Sequence, residues 1–211
     1  MRIAVYAGTF DPPTFGHLSV VERAVKLFDQ LWIVVAKNPQ KQPLFSDEER
    51  VGLLRDLVRH WPNVGVEHTA GYVVECARRL GARYLVRGVR GVTDIEAEIT
   101  LAHLNHGLAP EIETVFVPAH PGLSEVSSSR LKQLALEGAE LARYCPPEVR
   151  VRLEAWAASM PWPEWRGGRR PTRRATLPPD PRPRGSLDRT RRLEPPHPGG
   201  DRGRRRSAGP R

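Results

Sequence analysis

The chain has 211 residues, room for one domain and an appendage, and a formal net charge of +9 at pH 7. The charge is uneven: residues 1–160 hold 18 Lys+Arg against 19 Asp+Glu, whereas residues 161–211 hold 15 Arg, no Lys and 5 acids. Two cysteines without C-x-x-C spacing, Cys76 and Cys145, argue against a disulfide framework or structural zinc. With no leader-like segment and no apolar run near the ~20 residues of a membrane span, a soluble cytoplasmic protein is expected.

Residues 3–7 form a short apolar run that reads as a buried strand. Residues 8–17 follow as Gly-Thr-Phe-Asp-Pro-Pro-Thr-Phe-Gly-His, and residues 18–28 repeat apolar positions at helical spacing. The stretch is thus a strand-to-helix turn, where open α/β sheets place ligands. Gly8 is expected to allow a tight turn and close ligand approach, Pro12 and Pro13 to stiffen the loop, and Gly16 to open the helix. Residues 31–36 are a continuous apolar strand, the pattern of a sheet covered on both faces. Ser46 and Glu49 form a capping box that starts a helix to about His60. A strand at 63–67, a helix at 72–80 stopped by Gly81 and a strand at 83–86 come next. Thr93 and Glu96 read as a second capping box, opening a helix to about His106. A strand at 112–117, a helix from Ser127 to about Glu137 and a last helix at 148–158 complete the body.

This alternation predicts an α/β, Rossmann-like, doubly wound parallel sheet of five strands. One domain would span residues 1–160. Residues 161–211, rich in Arg, Pro and Gly with almost no apolar periodicity, read as a disordered tail. A tail contact with nucleic acid is conceivable, but its arginines lack interleaved aromatics for base stacking, and unselected sequence is the preferred reading.

Several groups should meet where strands end. His17 lies in the first turn of a helix, at the positive end of its dipole, and Thr9 adds a hydroxyl beside it. Lys41 could bring an ammonium from the loop after the second strand. Arg87 and Arg90, flanked by Gly88 and Gly91 directly after the fourth strand, would form a fork for phosphate oxygens. Glu98 lies in the next helix, and Ser127, Ser128 and Ser129 open another with hydroxyls and free N–H groups. Convergent cations in a near-neutral body suit phosphate chemistry.

Tyr6–Pro12, the T-x-G-H of residues 14–17, Lys41-Gln42-Pro43-Leu44-Phe45 with Glu48-Glu49-Arg50, Arg87-Gly88-Val89-Arg90 and the three serines together resemble one family. It is the bacterial pantetheine-phosphate adenylyltransferases, nucleotidylyltransferases with a T/H-x-G-H motif. The resemblance covers about residues 1–158. It implies transfer of AMP from ATP to 4′-phosphopantetheine with Mg²⁺, a hexamer, and coenzyme A as feedback inhibitor. By it, Thr9, Lys41, Val73 and Arg87 would bind the acceptor, and His17 would stabilise the transition state. Thr9, Phe10, His17, Gly88, Val89, Arg90, Glu98, Leu123, Ser124, Glu125, Val126 and Ser127–Ser129 would bind ATP, with no metal ligand assigned to the protein. Ala7, Phe15 and Ala97 stand where the family usually has Pro, often Asn, and an aromatic. Two rivals are nucleotidyl transfer to another acceptor, such as nicotinamide mononucleotide, and a non-catalytic nucleic-acid binder using the tail. A pantetheine groove lined by Leu44, Phe45 and Val73 would decide for the first reading.

Overall fold

The structure, a computed structural model, describes residues 1–38, 42–123 and 126–160. Lys41, Ser124, Glu125 and the tail at 161–211 lie outside the described residues, as does the side chain of Thr93.

Five strands, β1 (Ile3–Gly8), β2 (Gln30–Ala36), β3 (Val64–Thr69), β4 (Tyr84–Val89) and β5 (Glu113–Pro118), form one sheet in the order β3-β2-β1-β4-β5. Every pairing is parallel. The helices are α1 (Phe15–Ala24), α2 (Asp47–Val58), α3 (Val73–Arg79), α4 (Val92–Leu108), α5 (Ser128–Glu137) and α6 (Pro147–Ser159). The continuous apolar strands follow from cover on both faces. Ala4, Tyr6 and Ile33 pack with α1 and α2 on one side. Val5, Ala7 and Val34 pack with α3 on the other. A third cluster joins Phe45 and Leu53 to Leu131, Leu141, Val149 and Leu153, so α5 and α6 close over α2.

Local signals explain most helix starts. Ser46 accepts the Glu49 N–H at 3.2 Å while Glu49 accepts the Ser46 N–H at 2.9 Å, the expected capping box. Ser127 caps α5 through the Arg130 N–H, and Gly138 ends it at φ 71°, in the left-handed region. Thr93 is not the N-cap expected of it: α4 begins at Val92, two residues before that box would start it, with Gly91 as N-cap and no side-chain cap bond. β4 also runs on through Val89, pairing with Pro118, so Arg87 and Gly88 belong to the strand and do not follow it.

Gly88 is there because α1 crosses β4 closely: a Cβ would meet the Val20 side chain at 2.8 Å. Gly8, which lines a cleft at the strand ends, has a further reason beside the one expected. The site a Cβ would take lies 3.2 Å from the Phe10 ring, so the missing side chain leaves room for that ring.

Candidate active site

After β1 the chain winds to one side of the sheet through α1 and β2, whereas β4 lies on the other, so a crevice opens at the carboxyl ends of β1 and β4. There an open cleft is walled by Thr9, Phe10, His17, Val73, Arg87, Gly88, Arg90, Glu98, Val126, Ser127, Ser128 and Ser129. The structure thus brings most of the anticipated residues together. Val89 and Leu123 do not line it. The Val89 carbonyl accepts the Ala119 N–H at 2.7 Å, and the Leu123 carbonyl accepts the Val126 N–H at 3.1 Å.

His17 is the N3 residue of α1, and Thr14 is its N-cap. The Thr14 backbone N–H donates to His17 Nδ1 at 3.0 Å, and the Thr14 hydroxyl lies 3.1 Å from the same atom. Nδ1 is therefore an acceptor, and the proton of the neutral imidazole sits on Nε2. Burial, with the Arg90 charge adding to it, lowers the His17 pKa to about 4. The helix N-terminus likewise disfavours a cation at this point.

A stability prediction follows. Between pH 6.5 and 4 an unfolded imidazole takes up a proton that folded His17 refuses, so stability present above 6.5 is lost as pH falls toward 4. Denaturant titrations at pH 7 and 5 should show a larger acid loss for the native chain than for His17→Gln. Equal losses would contradict the assignment.

The arginines are not one fork. Arg87 Nε and Nη2 donate to Glu98 at 2.5 and 2.9 Å, and Nη1 donates to the Ala7 carbonyl at 2.9 Å. Arg90 pairs instead with Asp94 at 2.7 and 3.0 Å. Asp94 and Glu98 sit one turn apart on α4, so each meets a different guanidinium. Three of the five Arg87 N–H groups are engaged, leaving two for a ligand.

A layer beneath the cleft holds the loops in place. Asp11, only 6% exposed, accepts the N–H groups of Leu44 at 2.8 Å and Phe45 at 3.0 Å, and pairs with Lys132 of α5. Arg50, 2% exposed, donates to the carbonyls of Thr9 at 2.6 Å, Phe45 at 3.1 Å and Ser46 at 3.3 Å, and pairs with Asp47. The Ser128 hydroxyl donates to the Pro12 carbonyl at 2.8 Å, and the Phe15 N–H donates to the Tyr144 carbonyl at 2.9 Å.

This layer corrects one expectation. Asp11 accepts from both residues of the 44–45 turn, so Phe45 is buried in the α5–α6 core and not in a groove, and half-buried Leu44 packs against it. The apolar groove that does exist shares Ala7, Ala36, Lys37, Val73, Arg87 and Leu101 with the cleft and continues along Tyr72, Leu104, Asn105 and Leu108. Sequence reasoning missed its α4 wall. It also missed Lys37, at the carboxyl end of β2, whose position was the available signal.

This fold, with its polar cleft at the switch point, defines a nucleotidyltransferase: the cytidylyltransferase-like family model matches residues 5–134. The chain is similar to the phosphopantetheine adenylyltransferase of Heliobacterium modesticaldum, 44% identical over 72% of this chain and 91% of that protein. It is similar also to the one from Gloeobacter violaceus, 45% identical over 75% and 99%. Among solved structures it resembles in fold the Plasmodium falciparum nicotinic acid mononucleotide adenylyltransferase complexed with NaAD. The TM-score there is 0.55 and the identity 15%, over 74% of this chain and 95% of that one. The chain belongs to the phosphopantetheine adenylyltransferases.

Proposed function

We propose that this protein transfers the adenylyl group of ATP to 4′-phosphopantetheine, giving dephospho-coenzyme A and pyrophosphate, a step of coenzyme A biosynthesis. The observation that carries the reading is the convergence of Thr9, His17, Arg87, Glu98 and the α5 serines on one switch-point cleft, in a chain that matches its named relatives over nearly their whole length.

A phosphate attacking phosphorus needs no covalent enzyme intermediate, so the protein supplies alignment and charge. Thr9, Lys41 and the two unengaged Arg87 N–H groups would hold the acceptor phosphate. Val73 and the apolar groove along α4 would take the pantetheine arm. His17 Nε2–H would donate to an oxygen of the α-phosphate as negative charge builds there. Gly88, Arg90, Glu98 and residues 124–129 would hold ATP, while Val89 and Leu123, which do not line the cleft, would act only through the backbone they carry. The carboxylates near the cleft are already paired, Glu98 with Arg87, Asp94 with Arg90 and Asp11 with Lys132. No cluster of three or more His, Cys, Asp or Glu side chains suited to a metal occurs among the described residues. Mg²⁺ would be carried on nucleotide phosphate oxygens, where it would offset triphosphate charge.

The reading extends to a homohexamer inhibited by coenzyme A in the cytoplasm. What supports assembly is α4, which carries exposed Val92, Ile99, Leu104 and Leu108, and whose surface apolar residues a partner would cover; mass in solution checks it. No helix among the described residues is long and apolar enough to cross a membrane.

A pyrophosphate-release assay with ATP, Mg²⁺ and a panel of phosphorylated acceptors tests the function. Release is expected with 4′-phosphopantetheine. Release with nicotinamide mononucleotide in its place, or with no acceptor, would overturn the reading.

A further inference from the structure

Phe10 is the most constrained side chain at the cleft. Its backbone sits at φ 46°, a left-handed conformation that L-residues other than Asn and Asp seldom adopt. Its side chain is 1% exposed. The ring meets the His17 imidazole edge-to-face, with centroids 5.0 Å apart and planes at 70°. On its other side it meets Tyr6 at 5.2 Å and 81°. Gly8 leaves it room, since a Cβ there would press on the ring at 3.2 Å. A strained backbone, a vacated side-chain position and an aromatic backstop all place one ring against one imidazole.

We propose that Phe10 is a positioning residue for His17: its ring walls the imidazole off from water and fixes the plane in which Nε2–H faces the cleft. Edge-to-face pairs of this geometry contribute directional packing beyond area burial. The Thr14 N–H fixes Nδ1 from one side, and Phe10 supplies the apolar wall that a hydrogen bond cannot. The charged groups sharing the cleft with His17 are Lys37 after β2, Arg87 of β4, Arg90 before α4, and Asp94 and Glu98 of α4. The first turn of α1 carries no acid, and Lys132 of α5 faces Asp11. Burial acts on the His17 ionisation more strongly than Arg90 does, and the Phe10 ring is one of the groups that supply it.

The role in turnover rests on the adenylyl-transfer reading; the effect on the imidazole does not. The test is Phe10→Leu in the full chain, with His17 titrated by NMR alongside steady-state kinetics. The His17 midpoint should rise by about one pH unit or more as water reaches the ring. The kcat should fall about 10- to 100-fold with its acid limb shifted upward, while KM for ATP stays within about threefold. Should Phe10→Leu fail to fold, Gly8→Ala crowds the tip of the same ring, displacing it, and should move the midpoint in the same direction by less. A His17 midpoint unchanged in the folded variant overturns the proposal. So does a loss confined to KM for ATP, which would make Phe10 a nucleotide contact. A shifted midpoint in a chain that releases no pyrophosphate would sustain the positioning and defeat the adenylyl-transfer reading.

Discussion

Replacing His17 by alanine should lower kcat by about 10²–10³-fold, the scale of losing one preorganised donor, with smaller changes in KM for either substrate. The expectation rests on the tautomer. Because the Thr14 N–H occupies Nδ1, the proton sits on Nε2, which is a donor without any proton uptake. With a pKa of about 4, the imidazole is a neutral hydrogen-bond donor at physiological pH, and its turnover profile should show no ionisation near 6.5. Alanine also removes the acceptor that caps α1, so the control is His17→Gln. Glutamine at N3 can take the Thr14 N–H and restore the helix start, but it carries its amide N–H on a flexible chain and not on a ring held in one plane. A stable yet slow His17→Gln enzyme separates chemistry from capping. Near-normal turnover in His17→Ala would remove His17 from the reaction.

Arg50→Met should destabilise the domain by about 3–5 kcal/mol, the usual cost of breaking a buried ion pair from one side. The guanidinium is almost fully enclosed and gathers three carbonyls, from Thr9, Phe45 and Ser46, together with the Asp47 carboxylate. Methionine fills much of the volume but leaves those acceptors without donors, and each unsatisfied buried group costs roughly 1–3 kcal/mol. Arg50→Lys should recover only part of the loss, because a single ammonium cannot span acceptors that a planar fork reaches. The check is a denaturant midpoint at unchanged slope. A loss below about 1 kcal/mol would show that water replaces the guanidinium cheaply.

Short-range patterns made the sheet and the first loop legible. Apolar runs gave the strands, Ser46–Glu49 and Ser127 gave helix starts, and the spacing from Thr9 to His17 placed a polar loop at a strand end. What escaped were partnerships between distant charged residues. Nothing near Arg87 says that Glu98 will take its fork, and nothing near Asp11 says that Leu44, Phe45 and Lys132 will converge on it. The Phe45 assignment failed for that reason: a turn imposed by Asp11 decides which way the ring points. The Thr14–His17 box was missed because such boxes are sought with Glu or Gln at N3. A neutral imidazole does the same work, and the folded environment keeps it neutral well below pH 6.5.

The bond from the Phe15 N–H to the Tyr144 carbonyl, with those from α5 to Pro12 and Asp11, joins the earliest loop of the chain to its later helices. During synthesis the amino-terminal loop leaves the ribosome more than 120 residues before its partner at Tyr144. Vectorial folding can therefore assemble the early strands, but the catalytic pocket stays unfinished until the distal helices have emerged and docked. A nascent chain stalled short of Tyr144 would be sheet-forming and inert.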